Sequence, residues 1–240
     1  GAGLSGLCSG FSIKKNFIIF EKESKAGGLT STQKIKDYYF DHTGHWLHLN
    51  NDITKKFIKK IKLKYFSVEK KSKIFTNNRY IDYPFQFNLN GLPKNLIYDA
   101  LYDLFQRNKD NLKQNNFKNF CYKNFGKTIS DLFLFPYNQK LWGEHANNIT
   151  TEWCKNFFPP PNVSQIIKGA ITKNKFEGYN KKFIYPKTGG IQNLSDLIVK
   201  EVGPNNIKLN SEVQSINIKK NEIKINDKVV RYENLISSLP

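Results

Sequence analysis

The sequence predicts an α/β fold in which one discontinuous domain is interrupted by a mostly helical insertion. Three observations support this prediction: a glycine-rich start that leads into a short helix and an apolar strand, a middle dominated by amphipathic helices, and a final third in which apolar residues alternate with polar ones. We predict residues 1–50 and 184–240 for the discontinuous domain and residues 51–183 for the insertion.

The first residues predict a helix, a buried strand and an acidic residue at the end of that strand. Gly1-Ala2-Gly3-Leu4-Ser5-Gly6 matches the pattern GxGxxG and leads into a predicted helix over 4–12, and residues 17–20 form an apolar run that ends at Glu21. Three glycines at this spacing allow a tight turn, a close approach of the backbone to a pyrophosphate, and close packing of the helix on the sheet. An acid placed like Glu21 accepts hydrogen bonds from ribose hydroxyls, so the segment is typical of a Rossmann-like dinucleotide site with a parallel sheet.

Amphipathic helices dominate the middle of the chain. Apolar residues recur at helical spacing over 53–63, 94–106 and 117–134, which predicts three helices. Residues 135–153 mix proline and glycine with several aromatic residues, so we expect a structured loop there.

The last part of the chain predicts one more helix and then short strands. Residues 191–202 follow a Gly-Gly pair and have helical spacing, after which the hydrophobic period changes to two. Alternating segments separated by turn residues predict a small antiparallel meander, and residues 235–240 predict a further strand. The segments of the meander are 207–209, 213–218, 222–225 and 229–232.

The two ends of the sequence suggest a piece of a longer chain. The sequence contains no methionine and begins directly at the first glycine of the GxGxxG pattern. We therefore expect that the strand normally preceding this pattern, and a C-terminal part of the domain, are missing.

The chain carries a strong positive charge. Its 38 Lys and Arg residues against 20 Asp and Glu give a formal net charge of +18, which favours an anionic partner such as nucleic acid or a membrane surface. Only three of these cations are arginines, the side chain best suited to reading phosphates and bases. Apolar residues at helical spacing within the lysine-rich segment 55–64 indicate a solvated helix face. We predict no nucleic-acid partner, and a basic module that binds nucleic acid or a membrane surface stays an alternative.

The sequence predicts neither a membrane span nor a metal site. No apolar run reaches the roughly 18 residues that read as a transmembrane helix, and the start lacks a signal-peptide pattern. Cys8, Cys121 and Cys154 show no CxxC spacing, so we predict a reduced, cytoplasmic protein. The three histidines between residues 42 and 48 have neither the spacing of one strand face nor that of a zinc-binding helix.

A second pair of glycines follows Glu21 closely, within Glu21-Lys22-Glu23-Ser24-Lys25-Ala26-Gly27-Gly28-Leu29-Thr30. Together with the GxGxxG start, this segment resembles flavoproteins of the amine oxidase, protoporphyrinogen oxidase and phytoene desaturase superfamily. The resemblance implies an FAD cofactor. It implies cofactor contacts at Gly1, Ala2, Gly3, Leu4, Ser5, Gly6, Glu21, Lys22, Gly27, Gly28, Leu29 and Thr30.

Three later blocks are similar to motifs of the UDP-galactopyranose mutases. Phe40-Asp41-His42-Thr43-Gly44-His45 resembles their loop beside the isoalloxazine ring, Tyr83-Pro84-Phe85-Gln86 their uracil-contacting segment, and Pro136-Tyr137-Asn138-Gln139-Lys140-Leu141-Trp142-Gly143 their Pro-Tyr-Asn block. The match continues at 151–153, 161–162 and 185–190, so the resemblance covers nearly the whole chain. It implies a catalytic role for His45, cofactor contacts at Gly44, His45 and Val213, and substrate contacts at Tyr83, Phe85, Gln86, Tyr137, Asn138, Lys140, Trp142, Asn162 and Tyr185.

Two positions depart from the mutase pattern. In the mutases that the chain resembles, two arginines clamp the substrate diphosphate, and the corresponding residues here are Phe135 and Ile184, which cannot form charge-assisted hydrogen bonds. We predict an FAD-binding flavoenzyme that acts on a nucleotide-sugar or another glycan precursor. The alternative is an FAD-dependent oxidoreductase of the amine oxidase, protoporphyrinogen oxidase or desaturase type. The aromatic residues at 83, 85, 137 and 142 also fit a second interpretation, as members of an apolar core.

Overall fold

The computed structural model describes residues 1–107, 115–154, 162–173 and 182–238. The chain divides into two compact units, residues 1–69 with 182–240 and residues 70–181. The first unit therefore continues to Glu69 rather than ending at residue 50 as predicted. The reason is that Ile58 and Ile61 are buried in the core of the first unit, which keeps their helix with that unit.

The first unit contains both helices and strands, and helices predominate in the described part of the second. The helices are α1 (Leu4–Ser12), α2 (Asp52–Lys60), α3 (Lys94–Gln106), α4 (Phe117–Phe125), α5 (Lys127–Ile129), a π-helical turn (Ser130–Leu134), α6 (Phe135–Trp142), α7 (Val163–Ile171) and α8 (Gln192–Val202). The strands are β1 (Ile19–Phe20), β2 (Thr32–Ile35), β3 (Tyr38–Asp41), β4 (Tyr65–Glu69), β5 (Lys73–Thr76), β6 (Arg79–Asp82), β7 (Lys182–Pro186), β8 (Ile207–Lys208), β9 (Val213–Asn217), β10 (Glu222–Ile225) and β11 (Lys228–Arg231). Across the described ranges, no helix has both the length and the apolarity needed to cross a membrane.

The strands of the first unit pair in several small sheets. β1 pairs with β8 in parallel, whereas β2 pairs with β3 and β4 with β7 in antiparallel. The predicted meander consists of β9, β10 and β11 only, with β10 in the centre. Its predicted first strand joins β1 instead, because Ile207 lies beside Ile19 and both side chains are buried in the same core. The described residues after 234 form no strand, contrary to the prediction for 235–240, of which 239–240 lie outside the described range.

The second unit encloses an aromatic core. Phe85, Phe117 and Phe125 are fully buried, and Phe85 stacks on Phe133 with 4.9 Å between ring centroids. Burying a large aromatic side chain stabilises a fold by about 1.5–3 kcal/mol, so these rings provide a large share of the hydrophobic stabilisation. The hairpin of β5 and β6 covers this core through Ile81, which is also buried.

Two predictions for the helical middle are wrong for identifiable reasons. Residues 135–142 form a helix instead of a loop, because Pro136 occupies the first turn, where its missing N–H costs nothing, and Gly143 ends the helix in a left-handed conformation with φ +69°. The predicted helix over 117–134 is divided at Gly126, whose φ is +78°. A Cβ on Gly126 would lie 2.9 Å from the Asp103 carbonyl carbon, so close packing of two helices fixes a glycine there.

We expect the substitution Gly169→Ala in α7 to destabilise the second unit. An alanine Cβ would lie 2.0 Å from the Phe87 carbonyl oxygen, and backbone cannot move away as a flexible side chain can. The cost of such overpacking is about 1–3 kcal/mol, less the roughly 1 kcal/mol that alanine gains in a helix interior. Urea unfolding followed by tryptophan fluorescence measures the change, since Trp142 and Trp153 both belong to this unit. Gly44→Ala, where a Cβ would meet no atom within 4 Å, is the matched control, and equal stabilities of the two variants would contradict the packing argument.

Candidate functional site

The glycine-rich start forms a tight turn directly before α1. A Cβ on Gly6 would lie 1.9 Å from the Gly1 carbonyl oxygen, so only glycine allows the first helical turn to fold back so closely on the loop. Gly3 is the residue before the helix and has no side chain that could cap the first amides. The amino end of the helix therefore presents N–H groups and a positive dipole to the loop, which favours an anionic group such as a phosphate.

Glu21 lies at the end of β1 with its carboxylate against this loop. The side chain is only 7% exposed, and it accepts hydrogen bonds from the Ala2 N–H at 2.5 Å and the Glu23 N–H at 3.0 Å. An ionised carboxylate offers about four acceptor positions, of which these two amides use half. Glu21 can therefore accept further hydrogen bonds from hydroxyl groups of a bound nucleotide.

The two predicted glycine segments contact each other. The Gly27 N–H donates to the Ala2 carbonyl at 2.9 Å, and a Cβ on Gly28 would lie 3.1 Å from the Gly3 Cα. Gly27 and Gly28 also have φ values of +129° and +56°, which glycine adopts readily. The structure thus brings the fingerprint loop and the Gly-Gly turn into one backbone cradle with Glu21 beside it. The glycines of the two segments leave this cradle free of side chains. A pyrophosphate could therefore approach the backbone as closely as its hydrogen bonds to amides require.

The other predicted cofactor residues surround this cradle at different depths. Thr30 is buried and its hydroxyl donates to the Gly27 carbonyl, so this side chain stabilises the Gly-Gly turn. Lys22 and Leu29 are exposed. Val213 begins β9 two residues after Ser211, whose N–H donates to the Glu21 carbonyl at 2.7 Å, so the chain at Val213 passes close to the acidic residue.

An open cleft of about 420 Å³ lies in the first unit and contains three of the predicted site residues, Gly44, His45 and Tyr185. Trp46 and Phe183 pack against each other on its wall, with 5.8 Å between ring centroids. The His45 Nδ1 lies 3.0 Å from the Thr43 carbonyl oxygen, which can only accept, so this contact requires a proton on Nδ1. The residues that line the cleft are Asp41, Thr43, Gly44, His45, Trp46, Phe66, Val68, Phe183 and Tyr185.

Asp41, at the end of β3, is the most highly connected polar residue of the cleft wall. It accepts hydrogen bonds from the Thr32 hydroxyl at 2.6 Å, the Tyr185 hydroxyl at 2.5 Å and the Ile191 N–H at 3.2 Å. Burial alone would raise the pKa of the carboxyl, but the three donors and the nearby His45 together lower the pKa below its ordinary value. Asp41 is therefore a carboxylate at neutral pH. Asp41 lies within the block that resembles the mutase loop, but the resemblance implies no role for it.

Tyr185 is the counterpart of Asp41 in the cleft. Burial, together with the hydrogen bond to the Asp41 carboxylate and its charge, raises the pKa of Tyr185 to about 12. The phenol is therefore neutral at physiological pH and carries the proton of the shared hydrogen bond.

The Gly189-Gly190 turn lets these groups cap α8. Gly190 has φ +66°, and a Cβ there would lie 2.4 Å from the Thr32 Cγ2 and 2.9 Å from the Asp41 Oδ1. No side chain of the segment before α8 caps the first amides of this helix. The Ile191 N–H donates instead to the Asp41 carboxylate, and the Gln192 N–H donates to the Thr32 hydroxyl at 3.0 Å. The unpaired amides at the start of α8 are thus hydrogen-bonded by residues about 150 positions earlier in the chain.

The predicted substrate residues of the second unit are divided between surface and core. Tyr83, Tyr137 and Trp142 are 41%, 48% and 53% exposed, so each presents a ring edge or face to a ligand. Burial of its remaining surface and the neighbouring Tyr137 raise the pKa of Tyr83. Lys140 is exposed and Gln86 half-buried.

Three other predicted substrate residues have structural contacts. Phe85 is fully buried against Phe133, which fits the core interpretation and leaves no surface for a ligand. Asn138 is 1% exposed and donates to the Leu134 carbonyl, so it is bonded within its own helix. Asn162 is exposed and caps α7, where its side chain accepts from the Gln165 N–H. Residue 161, which precedes it in the matched block, lies outside the described residues.

The two positions that depart from the mutase pattern are core positions. Phe135 is 9% exposed and packs edge-on against Phe117 and Tyr122, and Ile184 is 6% exposed in the core of the first unit. Within the described residues, no three His, Cys, Asp or Glu side chains form a group that could hold a metal ion, and all three cysteines are free thiols.

Comparison with known proteins agrees with this geometry. The family model described as flavin containing amine oxidoreductase matches residues 4–240. A protein of Dictyostelium discoideum named as a probable flavin-containing monoamine oxidase A is 23% identical over 235 residues, which are 90% of this chain and 50% of that protein.

Solved structures of flavoenzymes share the fold. The structure of a reduced UDP-galactopyranose mutase superposes on the whole chain with a TM-score of 0.92 and 24% sequence identity, and the match covers 54% of that protein. A wild-type putrescine oxidase bound to putrescine matches 94% of the chain, and 53% of its own length, with a TM-score of 0.54 and 16% identity. The chain spans about half the length of these relatives.

The predicted α/β fold and the predicted superfamily are thus confirmed. The match to one family extends over almost the whole sequence, and the glycine cradle with its buried strand-end glutamate is what a flavin dinucleotide needs. This chain belongs to the family of flavin-containing amine oxidoreductases, and FAD is the cofactor that this membership implies.

Proposed function

We propose that the chain is the FAD-binding and substrate-binding part of a flavoenzyme that acts on a nucleotide-sugar, as its mutase relative is named to do. The observation that carries this proposal is the superposition of the whole chain, insertion included, on a UDP-galactopyranose mutase with a TM-score of 0.92. The amine-oxidising relative matches the same chain at 0.54.

The cradle of the first unit would hold the dinucleotide part of FAD. The amides at the start of α1 would receive the pyrophosphate, and Glu21 would accept a hydrogen bond from a ribose hydroxyl in addition to the one from Ala2. Gly27 and Gly28 would keep the opposite wall free of side chains. When bound, FAD supplies the chemistry that amino acid side chains lack, and the protein contributes binding, orientation and electrostatics.

The cleft of the first unit would bind a polar, ring-shaped group. Its aromatic walls, Trp46, Phe66 and Phe183, offer apolar faces to a planar group or to the C–H face of a sugar. Tyr185 and His45 would form hydrogen bonds at its polar end and orient the ligand beside His45, the proposed catalytic residue.

The exposed aromatic residues of the second unit would bind the nucleoside. Tyr137 lies near enough to Tyr83 to contribute to the raised pKa of Tyr83, and the Tyr137 ring stacks on the buried Phe133 with 5.2 Å between ring centroids. This stacking fixes the orientation of the Tyr137 ring while about half of it stays exposed to a base.

The diphosphate would be bound by lysine instead of arginine. Phe135 and Ile184 are buried, so an arginine at either position would have to place a charge in the core. Lys140 on α6 is exposed, and Lys187 lies with its Nζ 5.6 Å from the Phe66 ring centroid at the cleft. A lysine gives a point charge without the bidentate geometry of arginine, so we expect weaker discrimination of the diphosphate.

An amine-oxidising flavoenzyme is the second candidate. The observation that favours it is the anionic Asp41 in an aromatic-walled cleft, a combination that attracts a cation. The family description and the Dictyostelium relative are named for this activity.

We expect Glu21→Gln to weaken FAD binding about 10- to 100-fold, since a hydrogen bond to a charged group contributes about 1.5–3 kcal/mol. Glutamine keeps the shape but loses the charge and one acceptor. Titration of the flavin-free protein with FAD, followed by flavin fluorescence, measures the affinity. Glu23→Gln is the matched control, because Glu23 is 66% exposed and its carboxylate faces Lys22 instead of the cradle. Equal affinities for the two variants would contradict the assignment of Glu21.

We expect UDP-galactose to perturb the absorbance of the reduced, FAD-loaded protein, and a simple amine such as putrescine to leave it unchanged. The reason is that a substrate bound beside the flavin changes the surroundings of the isoalloxazine ring, whereas a simple amine changes the absorbance only if the flavin oxidises it. Anaerobic titrations with each compound, starting from both the oxidised and the reduced protein, separate the candidates. Bleaching of the oxidised flavin by the amine, with no response to UDP-galactose, would favour the second candidate.

A matched pair of lysine variants tests the diphosphate contact. Lys140→Ala should weaken UDP-galactose binding about tenfold, the effect of one charge-assisted hydrogen bond. Lys168→Ala removes a similarly exposed lysine from the last turn of α7 and should leave the affinity unchanged. A loss of the same size in both variants would show that only the net charge matters.

A further inference from the structure

The hydrogen bonds of Asp41 determine where the proton of Tyr185 lies. One carboxylate oxygen, Oδ1, receives the Thr32 hydroxyl and the Ile191 N–H, and the other, Oδ2, receives the Tyr185 hydroxyl. Thr32 can donate to Asp41 because its own oxygen accepts from the Gln192 N–H. The Thr32 hydroxyl, the Tyr185 hydroxyl and the Ile191 N–H therefore all donate to the carboxylate.

An ionised carboxylate has no proton to give, so the phenol of Tyr185 must donate. Both residues line the cleft, and the hydroxyl proton of Tyr185 is directed to Asp41. What remains on the Tyr185 oxygen for a ligand is lone pairs only. Besides Tyr185 itself, the charged or titratable groups that line the cleft are Asp41 and His45, and Lys187 lies beside the cleft wall at Phe66.

We propose that Asp41 is a positioning residue that turns Tyr185 into an obligatory hydrogen-bond acceptor, so that this end of the cleft selects a ligand hydroxyl and rejects a phosphate oxygen. The inference rests on the proposed function in that it places the sugar ring of the nucleotide-sugar, with its hydroxyl donors, at Tyr185. It assigns the diphosphate to the lysines and not to Tyr185, since two acceptors facing each other repel.

The glycine at position 190 shows that this arrangement is built into the fold. A Cβ there would lie 2.9 Å from the Asp41 Oδ1 and 2.5 Å from the Thr32 Oγ1, so a side chain would separate the carboxylate from the α8 amides. The Ile191 N–H and the Thr32 hydroxyl occupy Oδ1 and leave Oδ2 for the phenol. Asp41 is thus held in one orientation by donors on both of its carboxylate oxygens.

The substitution Asp41→Asn reverses the polarity at Tyr185 without changing the size of the side chain. The amide oxygen of asparagine is needed by the Thr32 hydroxyl and the Ile191 N–H, so its NH₂ group must face Tyr185. The phenol then accepts from that group and turns its own proton toward the cleft. Asp37→Asn, an exposed acid in the turn between β2 and β3, is the matched control.

The test measures the affinity of the FAD-loaded protein for UDP-galactose and for UDP, which lacks the sugar. We expect Tyr185→Phe to weaken UDP-galactose binding about tenfold, the effect of one lost hydrogen bond, and Asp41→Asn to weaken it by a smaller factor, because a sugar hydroxyl that donated to Tyr185 must turn to accept from it. UDP binding should change less than twofold in both variants. The double variant should bind no more weakly than Tyr185→Phe alone, because Asp41 acts through Tyr185. Equal losses for UDP and UDP-galactose, or additive losses in the double variant, would overturn the proposal.

A second readout does not depend on the substrate and separates failure of this inference from failure of the proposed function. Tyrosine ionisation is followed by absorbance near 295 nm, and the contribution of Tyr185 is the difference from Tyr185→Phe. Removing the carboxylate removes the charge that disfavours phenolate, so Asp41→Asn should move the Tyr185 midpoint from about 12 toward the ordinary value of about 10. If UDP-galactose fails to bind any form, the proposed substrate is wrong and this titration decides the inference. An unchanged Tyr185 midpoint in Asp41→Asn would overturn it.

Discussion

Close backbone contact between two glycine segments is the constraint on which the site of this protein depends. The Gly27 amide bonds to the Ala2 carbonyl, and Gly28 approaches Gly3 so closely that a Cβ on Gly28 would lie 3.1 Å from the Gly3 Cα. From this contact a path of hydrogen bonds extends into α8. Gln192 donates to the Ala26 carbonyl, and the Ser195 and Thr30 hydroxyls bond to each other at 2.6 Å. The first amides of the same helix bond to Thr32 and Asp41, so one helix end holds both the cradle and the cleft.

Much of the cradle could be predicted from the sequence because its requirements are local. The spacing of the glycines, the apolar strand and the acid that follows it are all visible within about thirty residues, and α1 and α3 have the predicted bounds. Asp41 was missed because its importance arises from partners about 150 residues later in the chain. Strands β5 and β6 have four residues each, which is too short for the alternation of apolar and polar residues to predict a strand. Their structure depends on the hydrogen bonds that pair them across the turn.

Proline and glycine in the middle of the chain show how a local signal can be misinterpreted. Pro136 and Gly143 both disrupt the interior of a helix, but at the first turn and just after the last they favour one. The same segment contains Phe135, which stands where the mutases that the chain resembles have a diphosphate-binding arginine. Its burial beside Phe117 shows a residue that serves the core of the second unit, so the difference from the mutases lies in packing as well as in charge.

The central claim is that the cradle of Glu21 and the two glycine segments binds FAD, and hydrogen–deuterium exchange of the protein with and without FAD tests it most directly. We predict that FAD slows exchange in peptides spanning residues 1–7, 19–23 and 26–32, where the amides of the cradle lie. Peptides from 117–125 in the aromatic core should exchange alike in both states, since their amides are hydrogen-bonded within α4 or, at its start, to Ile149, Ala146 and the Asn116 side chain. Protection by FAD that leaves all three cradle segments unchanged would contradict this account.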